Sequence, residues 1–402
     1  MDQKILKDAI VLHITGVDRP GITSTVAQVV ADEGGILVDI GQTVLHGYLT
    51  LSAIVKLPPG SDALRKILFS VSRIGFRVEL GTLDADTPAY APGAAPALCV
   101  TLIGSLNNGK AVASTAKFFA ERQVNIREIR SLAQESLSGL ELIVDLPARS
   151  QWQASEVAKL RGEILKLASR EGVDMAVQSD DIFRRNRRLI CMDVDSTFIQ
   201  MEVIDELARM NGTFERVAQI TERAMRGELD FKQALAERVL LLKGLSFAKA
   251  EGLLANIPLT PGVEKLVRTL KSLGFHIGLV SGGFDFLVNE LKSRFHLDFA
   301  VSNQLEVKDG ALTGKTLGSV VDAERKAQVL RDMAQAFRCR LEQTVAVGDG
   351  ANDSLMLQTA GLGIAFQAKP KLQELAHLSL NQSALDSILF LMGYHERDLA
   401  GI

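Results

Sequence analysis

The chain has 402 residues, 47% apolar and 23% charged, with a formal net charge of -3. At about 100–200 residues per domain this describes two to four globular domains with enough apolar surface for real cores. The weak charge gives no electrostatic case for nucleic acid, and no run reaches the ~18 or more apolar residues of a membrane span.

The N-terminus, "MDQKILKDAIVLHITG", has no long apolar block or cleavage site, so no signal peptide is read there. Cys99, Cys191 and Cys339 are scattered without metal spacing. A disulfide framework is not expected, and a reducing compartment, the cytoplasm, fits.

The first ~180 residues read as one unit written twice. "AIVLHITGVD" is a strand. "RPGITSTVAQVVADEGG" is a helix with Pro20 in its first turn and Gly34-Gly35 at its end. Two strands joined near Gly47 follow, then a helix from a Ser/Asp cap and a closing strand, "FRVELGTL". The order β-α-β-β-α-β is the ferredoxin-like unit. "TPAYAPGAAPA" (Thr87–Ala97) reads as a linker. The order then repeats from "LCVTLIG" to "DMAVQS", with Gly104 and Gly109 standing where the first copy has Gly16 and Gly21. The boundaries expected are 1–86, 96–180 and 184–402.

"FRRNRRL" (Phe183–Leu189) is the one basic cluster, and it reads as a solvated approach to a strand. Beyond it apolar strands alternate with helices: "RLICMDVD", "FHIGLVSGG", "FAVSNQLEV", "TVAVGDG" and "GLGIAF". Continuous apolar runs bounded by Gly and Asp predict an α/β fold, a doubly wound parallel sheet covered on both faces. The stretch from about 202 to 265 is too long for one crossover helix and predicts a helical cap.

Four features fall at strand ends, where open α/β sheets bind ligands. Asp193 and Asp195 in "DVDST" alternate, so both can address one pocket. A divalent cation would relieve their repulsion, and capping is the alternative. Ser281-Gly282-Gly283 can bring backbone N–H groups to an anion, or form a simple turn. Lys326 in "DAERKAQVL" is a surface charge unless an anion lies within reach. "VAVGDGANDSLML" sets Asp349, Asn352 and Asp353 in a Gly-rich turn, more acid than capping needs.

Together these residues, in this order, resemble the haloacid dehalogenase (HAD) superfamily of phosphohydrolases, over roughly Arg184 to Ile402. The continuation "DSTFIQMEVIDELA", with "AMRGELDF" and "ALAERVLLLKGL", is similar to the phosphoserine phosphatase family. The resemblance implies Asp193 as nucleophile and Asp195 as general acid and base. It implies Mg²⁺ held by Asp193, the backbone carbonyl of Asp195, Asp349 and supporting Asp353. Ser281, Gly282, Lys326 and Asn352 would hold phosphate. Glu202 would take the substrate ammonium and Arg238 its carboxylate, with Met225 and Phe231 excluding water. The implied reaction is hydrolysis of O-phospho-L-serine, the last step of serine biosynthesis. A related phosphatase or phosphotransferase on another small amino-alcohol phosphate is the alternative. A non-catalytic amino-acid sensor should have lost a site residue, and none is missing.

"VDRPGITSTVAQVVADEGGILVDI" resembles the amino-acid-binding ACT domain, which implies a ligand loop at Asp18, Pro20 and Gly21, serine as a regulatory ligand, and pairing into a homodimer. The second copy has Leu106-Asn107-Asn108-Gly109 there, losing the acid.

Overall fold

Alternation of apolar and polar residues decides the first segment. Strand β3 (Tyr48–Lys56) turns Leu49, Leu51, Ala53 and Val55 inward and its other residues out. In the computed structural model, which describes residues 8–83, 97–133, 138–146, 154–368, 372–373, 376, 378–381 and 383–401, the chain divides into two compact units, Met1–Ala94 and Ala95–Ile402. Most of the Thr87–Ala97 linker lies outside the described residues.

The first unit is β1 (Ile10–Val17), α1 (Ile22–Asp32), β2 (Ile36–Leu45), β3, α2 (Ala63–Arg73) and β4 (Arg77–Thr82). Its antiparallel sheet has the order β2-β3-β1-β4. His46 and Gly47, both with positive φ, make the tight turn between β2 and β3. Pro20 is not in the helix: Gly21, left-handed at φ 107°, is the N-cap, and Pro20 lies in the turn before it. Asp62 occupies the N-cap of α2, but its carboxylate meets Arg65 at 3.0 Å and makes no capping bond.

The second unit begins with the repeat: β5 (Ala97–Ile103), α3 (Lys110–Ala120), β6 (Asn125–Ser131), β7 (Gly139–Asp145), α4 (Ala154–Glu171) and β8 (Asp174–Ser179). Then come β9 (Leu189–Met192), the cap helices α5 (Val203–Met210), α6 (Phe214–Met225), α7 (Phe231–Leu240) and α8 (Phe247–Glu251), and α9 (Val263–Ser272). The alternation resumes with β10 (His276–Phe284), α10 (Asp285–Phe295), β11 (Phe299–Lys308), β12 (Ala311–Leu317), α11 (Ala323–Ala336), β13 (Thr344–Gly348), α12 (Ser354–Thr359), β14 (Leu362–Phe366) and β15 (Leu378–Leu380). Two short helices, α13 (Ile388–Leu391) and α14 (Glu396–Leu399), end the chain.

Strands β11-β10-β9-β13-β14-β15 are parallel neighbours in that order. Strand β9 is central because all four of its residues are apolar and buried. The connections run outward from it in both directions, so a crevice opens beside its C-terminal end. The cap helix α7 starts on a capping box in which Asp230 accepts from the Gln233 amide and Gln233 accepts from the Asp230 amide. Val217, Leu235, Val239 and Leu242 of the cap share one apolar core with the sheet.

The sheet does not stop at β15. Strand β8 pairs antiparallel with it at Ala176 and Leu378, so the repeat and the parallel sheet form one 11-stranded sheet. The basic cluster is not a solvated approach either. Arg184 and Arg187 are buried, at 1% and 8% exposure, while Arg185 and Arg188 face solvent.

Candidate active site

Strand β9 ends at Met192, and Asp193 begins a wide turn closed by the Ile199 amide on the Val194 carbonyl at 3.0 Å. Ser196 sits in that turn at φ 54°, a conformation a non-glycine residue adopts only where its surroundings enforce it. One enforcing contact is its hydroxyl, which donates to Glu202 Oε1 at 2.8 Å. The turn separates the two acids. Asp193 is buried and its Oδ1 accepts from the Val194 amide at 2.8 Å. Asp195 Oδ1 accepts from the Val203 amide, at the start of the cap, at 2.9 Å.

Lys326 is no surface charge. It is fully buried on α11, with Nζ 2.8 Å from Asp193 Oδ1 and 2.7 Å from Asp353 Oδ1. Burial alone would lower its affinity for the proton; the two carboxylates override that and hold the ammonium above its ordinary range. Asp193 Oδ1 is thus engaged twice, and no hydrogen bond among the described residues engages Oδ2. Asp353 Oδ2 accepts from the Gly350 amide at 3.0 Å.

Carboxylate oxygens of Asp193, Asp349 and Asp353 lie within 4.8 Å of one another, a donor set that could hold a hard cation. The Asp195 side chain is outside this cluster. The crowding has a cost that a cation would relieve. Burial, then neighbouring acids, push Asp349 to about 8 and Asp353 to about 7. Burial, Glu202 and Asp193 push Asp195 to about 8.

The Ser281 hydroxyl is buried and accepts from the Gly283 amide at 2.8 Å, as the turn reading expects. Gly282 lies under the cap: a Cβ there would stand 3.0 Å from the Phe231 ring and 3.6 Å from Asn352 Nδ2. Phe231 therefore brings α7 onto the Ser281–Gly283 loop. Met225, at the end of α6, is 64% exposed in this conformation. Arg238 Nε donates to the Ala234 carbonyl at 3.2 Å. Burial lowers its pKa, and the charges of Glu202, Asp205 and Asp195 oppose that. Glu202 stands at the solvent-facing mouth, its carboxyl pushed up by surrounding protein and by Asp193, against the Ser196 hydrogen bond.

Three residues of the site escape a linear reading. A Cβ at Gly283 would stand 2.6 Å from Asp195 Oδ2, so only glycine lets that acid lie there. Asn303, buried in β11, donates to the Gly282 carbonyl at 2.7 Å and accepts from the Val321 amide at 2.9 Å, bracing the Ser281–Gly283 loop against the start of α11. Ser196 lies inside the quoted acidic stretch, but its tie to Glu202 needs the turn. Asn303 is one of four polar residues in "FAVSNQLEV", and nothing in that stretch singles it out.

At the other candidate site, α1 begins at Gly21 with no side-chain cap and no atom within 4 Å of where a Cβ would stand. Asp18 and Pro20 are exposed beside it. In the second copy Asn108 Oδ1 accepts from the Lys110 amide at 2.9 Å, occupying the corresponding helix start.

A sheet switch point carrying paired acids, a buried lysine and a helical cap defines a class of hydrolase. Residues 187–361 match the family model of haloacid dehalogenase-like hydrolases, and residues 8–80 and 97–178 match ACT domain models. A phosphoserine phosphatase of Mycobacterium tuberculosis is 41% identical over 391 residues, 96% of this chain and 93% of that protein. One of Streptomyces coelicolor is 41% identical over 387 residues, 96% of this chain and 92% of that protein. Among solved structures, a HAD family hydrolase of Salmonella enterica superposes with a TM-score of 0.63 at 29% identity, covering 73% of this chain and 98% of its own. A "probable phosphoserine phosphatase" of Vibrio cholerae gives 0.58 at 34%, covering 74% and 86%. The chain is a haloacid dehalogenase-like hydrolase with two ACT domains. Within that class it belongs to the phosphoserine phosphatases.

Proposed function

We propose that the enzyme hydrolyses O-phospho-L-serine to serine and phosphate through an aspartyl phosphate on Asp193. The observation carrying this reading is the division of labour between two acids one residue apart. Asp193 has one oxygen held by Lys326 and its own turn, leaving Oδ2 for phosphorus. Asp195, at about 8, carries a proton near neutrality that the leaving serine oxygen needs. As Oδ2 bonds to phosphorus the P–O bond to serine breaks and that proton transfers. Asp195 then takes a proton from the water that opens the aspartyl phosphate. Ser281, the Gly282 amide, Lys326 and Asn352 would hold the phosphoryl oxygens.

Asp193, Asp349 and Asp353 suit a hard divalent cation, read as Mg²⁺, with the Asp195 backbone carbonyl as a further donor. Such an ion neutralises charge on the phosphoryl group and its acids. Glu202 and Arg238 supply opposite charges for the ammonium and carboxylate of phosphoserine, and Phe231 covers the Ser281–Gly283 loop. Serine would bind at the open start of α1, beside Asp18, Pro20 and Gly21, in a cytoplasmic homodimer. Ile36, Leu37, Ile40, Val44 and Leu45 of edge strand β2 are exposed and supply an apolar contact for the pairing.

Phosphate release from phosphoserine tests the reaction. Asp193→Asn should abolish turnover, and appreciable residual activity would refute the nucleophile. Arg238→Ala should impair phosphoserine far more than a featureless aryl phosphate; equal losses on both would remove its assigned contact with the carboxylate.

A further inference from the structure

The basic cluster "FRRNRRL" has no part in the reaction, yet two of its arginines are buried. Arg184 is neutralised by Glu141 at 2.7 Å. Arg187 has no such partner. One of its terminal nitrogens donates to the Glu342 carbonyl, and its Nε is buried without a hydrogen bond. Facing it across a cavity of about 110 Å³ is Arg161 of α4, whose Nε is likewise buried and unbonded. Neither guanidinium enters an ion pair among the described residues. Asp181 also lines the cavity, but its Oδ1 accepts from the Phe183 and Arg184 amides at 2.8 and 3.1 Å.

Burial without a counter-ion penalises the charged form. It lowers Arg161 and brings Arg187 down to about 10, even with Asp181 and Glu342 opposing. A bound anion would reverse that penalty through the bidentate geometry a guanidinium offers to oxyanions. One acceptor completes the chemistry. Gln178, in the wall, donates its Nε2 to the Leu391 carbonyl at 2.8 Å, while its Oε1 is buried and unbonded. Hydrogenphosphate has an O–H to give to such an acceptor; a carboxylate has none.

We propose that this cavity is a binding site for a small oxyanion of the hydrogenphosphate class, clasped between Arg161 and Arg187. It lies on the seam between the second repeat and the catalytic sheet. Arg161 and β8 form one wall, and Glu342, Gly361 and Leu362, at the starts of β13 and β14, form the other. The reacting acids follow the opposite ends of the strands, so this anion site is separate from the catalytic one. Strand β9 joins them, since Arg187 precedes it and Asp193 follows it.

Crystals of the full chain soaked in sodium arsenate, whose hydrogenarsenate ion keeps the O–H, test the location by anomalous diffraction. A peak between Arg161 and Arg187, besides any beside Asp193, is expected; no peak between the arginines overturns the site. Melting of wild type, Arg161→Gln and Arg187→Lys is then followed against sodium phosphate and sodium acetate at constant ionic strength. Phosphate should raise the wild-type Tm more than acetate does. Arg161→Gln, on a half-exposed residue, should lose at least half of that rise while turning over phosphoserine as wild type does. An equal rise in wild type and both variants overturns the proposal. A response to acetate matching phosphate assigns the pocket to a carboxylate instead. The anomalous peak does not depend on turnover, so it stands or falls separately from the phosphatase reading.

Discussion

Asp195, Asp349 and Asp353 keep their protons to about pH 8, 8 and 7, against about 3.9 for an unfolded aspartate. Folding of the metal-free protein therefore takes up protons. The stability these groups contribute is complete below about pH 4 and is lost as pH rises through 7 and 8. Lys326 stays charged throughout and does not offset the trend. In a chelator, Tm should fall between pH 5 and 8.5. Adding Mg²⁺ should restore it at pH 8 more than at pH 5, because metal and protons compete for the same oxygens. A Tm indifferent to pH in chelator would show that these acids are ionised without the metal. At this scale the acids were legible, because like charges one residue apart at a strand end call for a shared cation or a shared proton. Asn303, and the reason position 283 must be glycine, were not. Their partners, the Asp195 carboxylate and the Val321 amide, come from other turns, and nothing along the chain marks the approach.

Among the described residues a charged contact, as well as apolar packing, ties the cap to the base. Lys232 in the first turn of α7 lies 2.9 Å from Asp322, the residue that caps α11 through the Arg325 amide at 2.9 Å. The same two helices carry Phe231 and Arg238 on one side and Lys326 on the other, so the ion pair favours the closed arrangement in which the groups proposed above to hold substrate and phosphate meet. It is exposed and worth little to stability. Its effect should appear in KM: Lys232→Ala should raise KM for phosphoserine by about two- to five-fold at low salt. High salt should move wild type toward the variant, since screening weakens an exposed pair. Unchanged KM at low salt would show that apolar contacts alone set the closed state. The cap and the strands were legible in apolar periodicity and in a polar stretch too long for one crossover. Helix starts were less so. Pro20 suits a first helical turn, but Gly21 takes the left-handed N-cap and leaves Pro20 just outside the helix. Among the described residues the pairing of β8 with β15 shows one bridged position, which no sequence pattern announces.

The chain divides into two compact units, because polar ties fasten the second repeat to the catalytic sheet. Asp174 at the head of β8 accepts from the Asn381 amide at 2.7 Å and the Ser383 hydroxyl at 2.9 Å. The Glu396 amide donates to the Leu132 carbonyl at 2.8 Å, and Gln178 reaches Leu391. At the centre is Glu141, fully buried on β7 and surrounded by Arg184 at 2.7 Å, Arg185 at 3.1 Å and Arg130 at 3.7 Å. Burial would raise its carboxyl; the arginines, Arg184 foremost, outweigh that and hold it below the ordinary range. Arg184 follows β8 on the way to β9, so this pair joins the repeat to the strand that ends at Asp193. Removing the carboxylate leaves the buried guanidinium, among the described residues, only the looser contact with Asp180 at 3.6 Å, which costs about 3–5 kcal/mol. At about 2 °C per kcal/mol for a unit of this size, Glu141→Ala should lower one melting transition by roughly 6–10 °C. Calorimetry of the full chain should show two transitions, with only that of residues 95–402 displaced. If instead a third transition separates, with the repeat melting ahead of an unshifted catalytic domain, the seam is not cooperative, and a ligand on the second repeat has no rigid path to the active site.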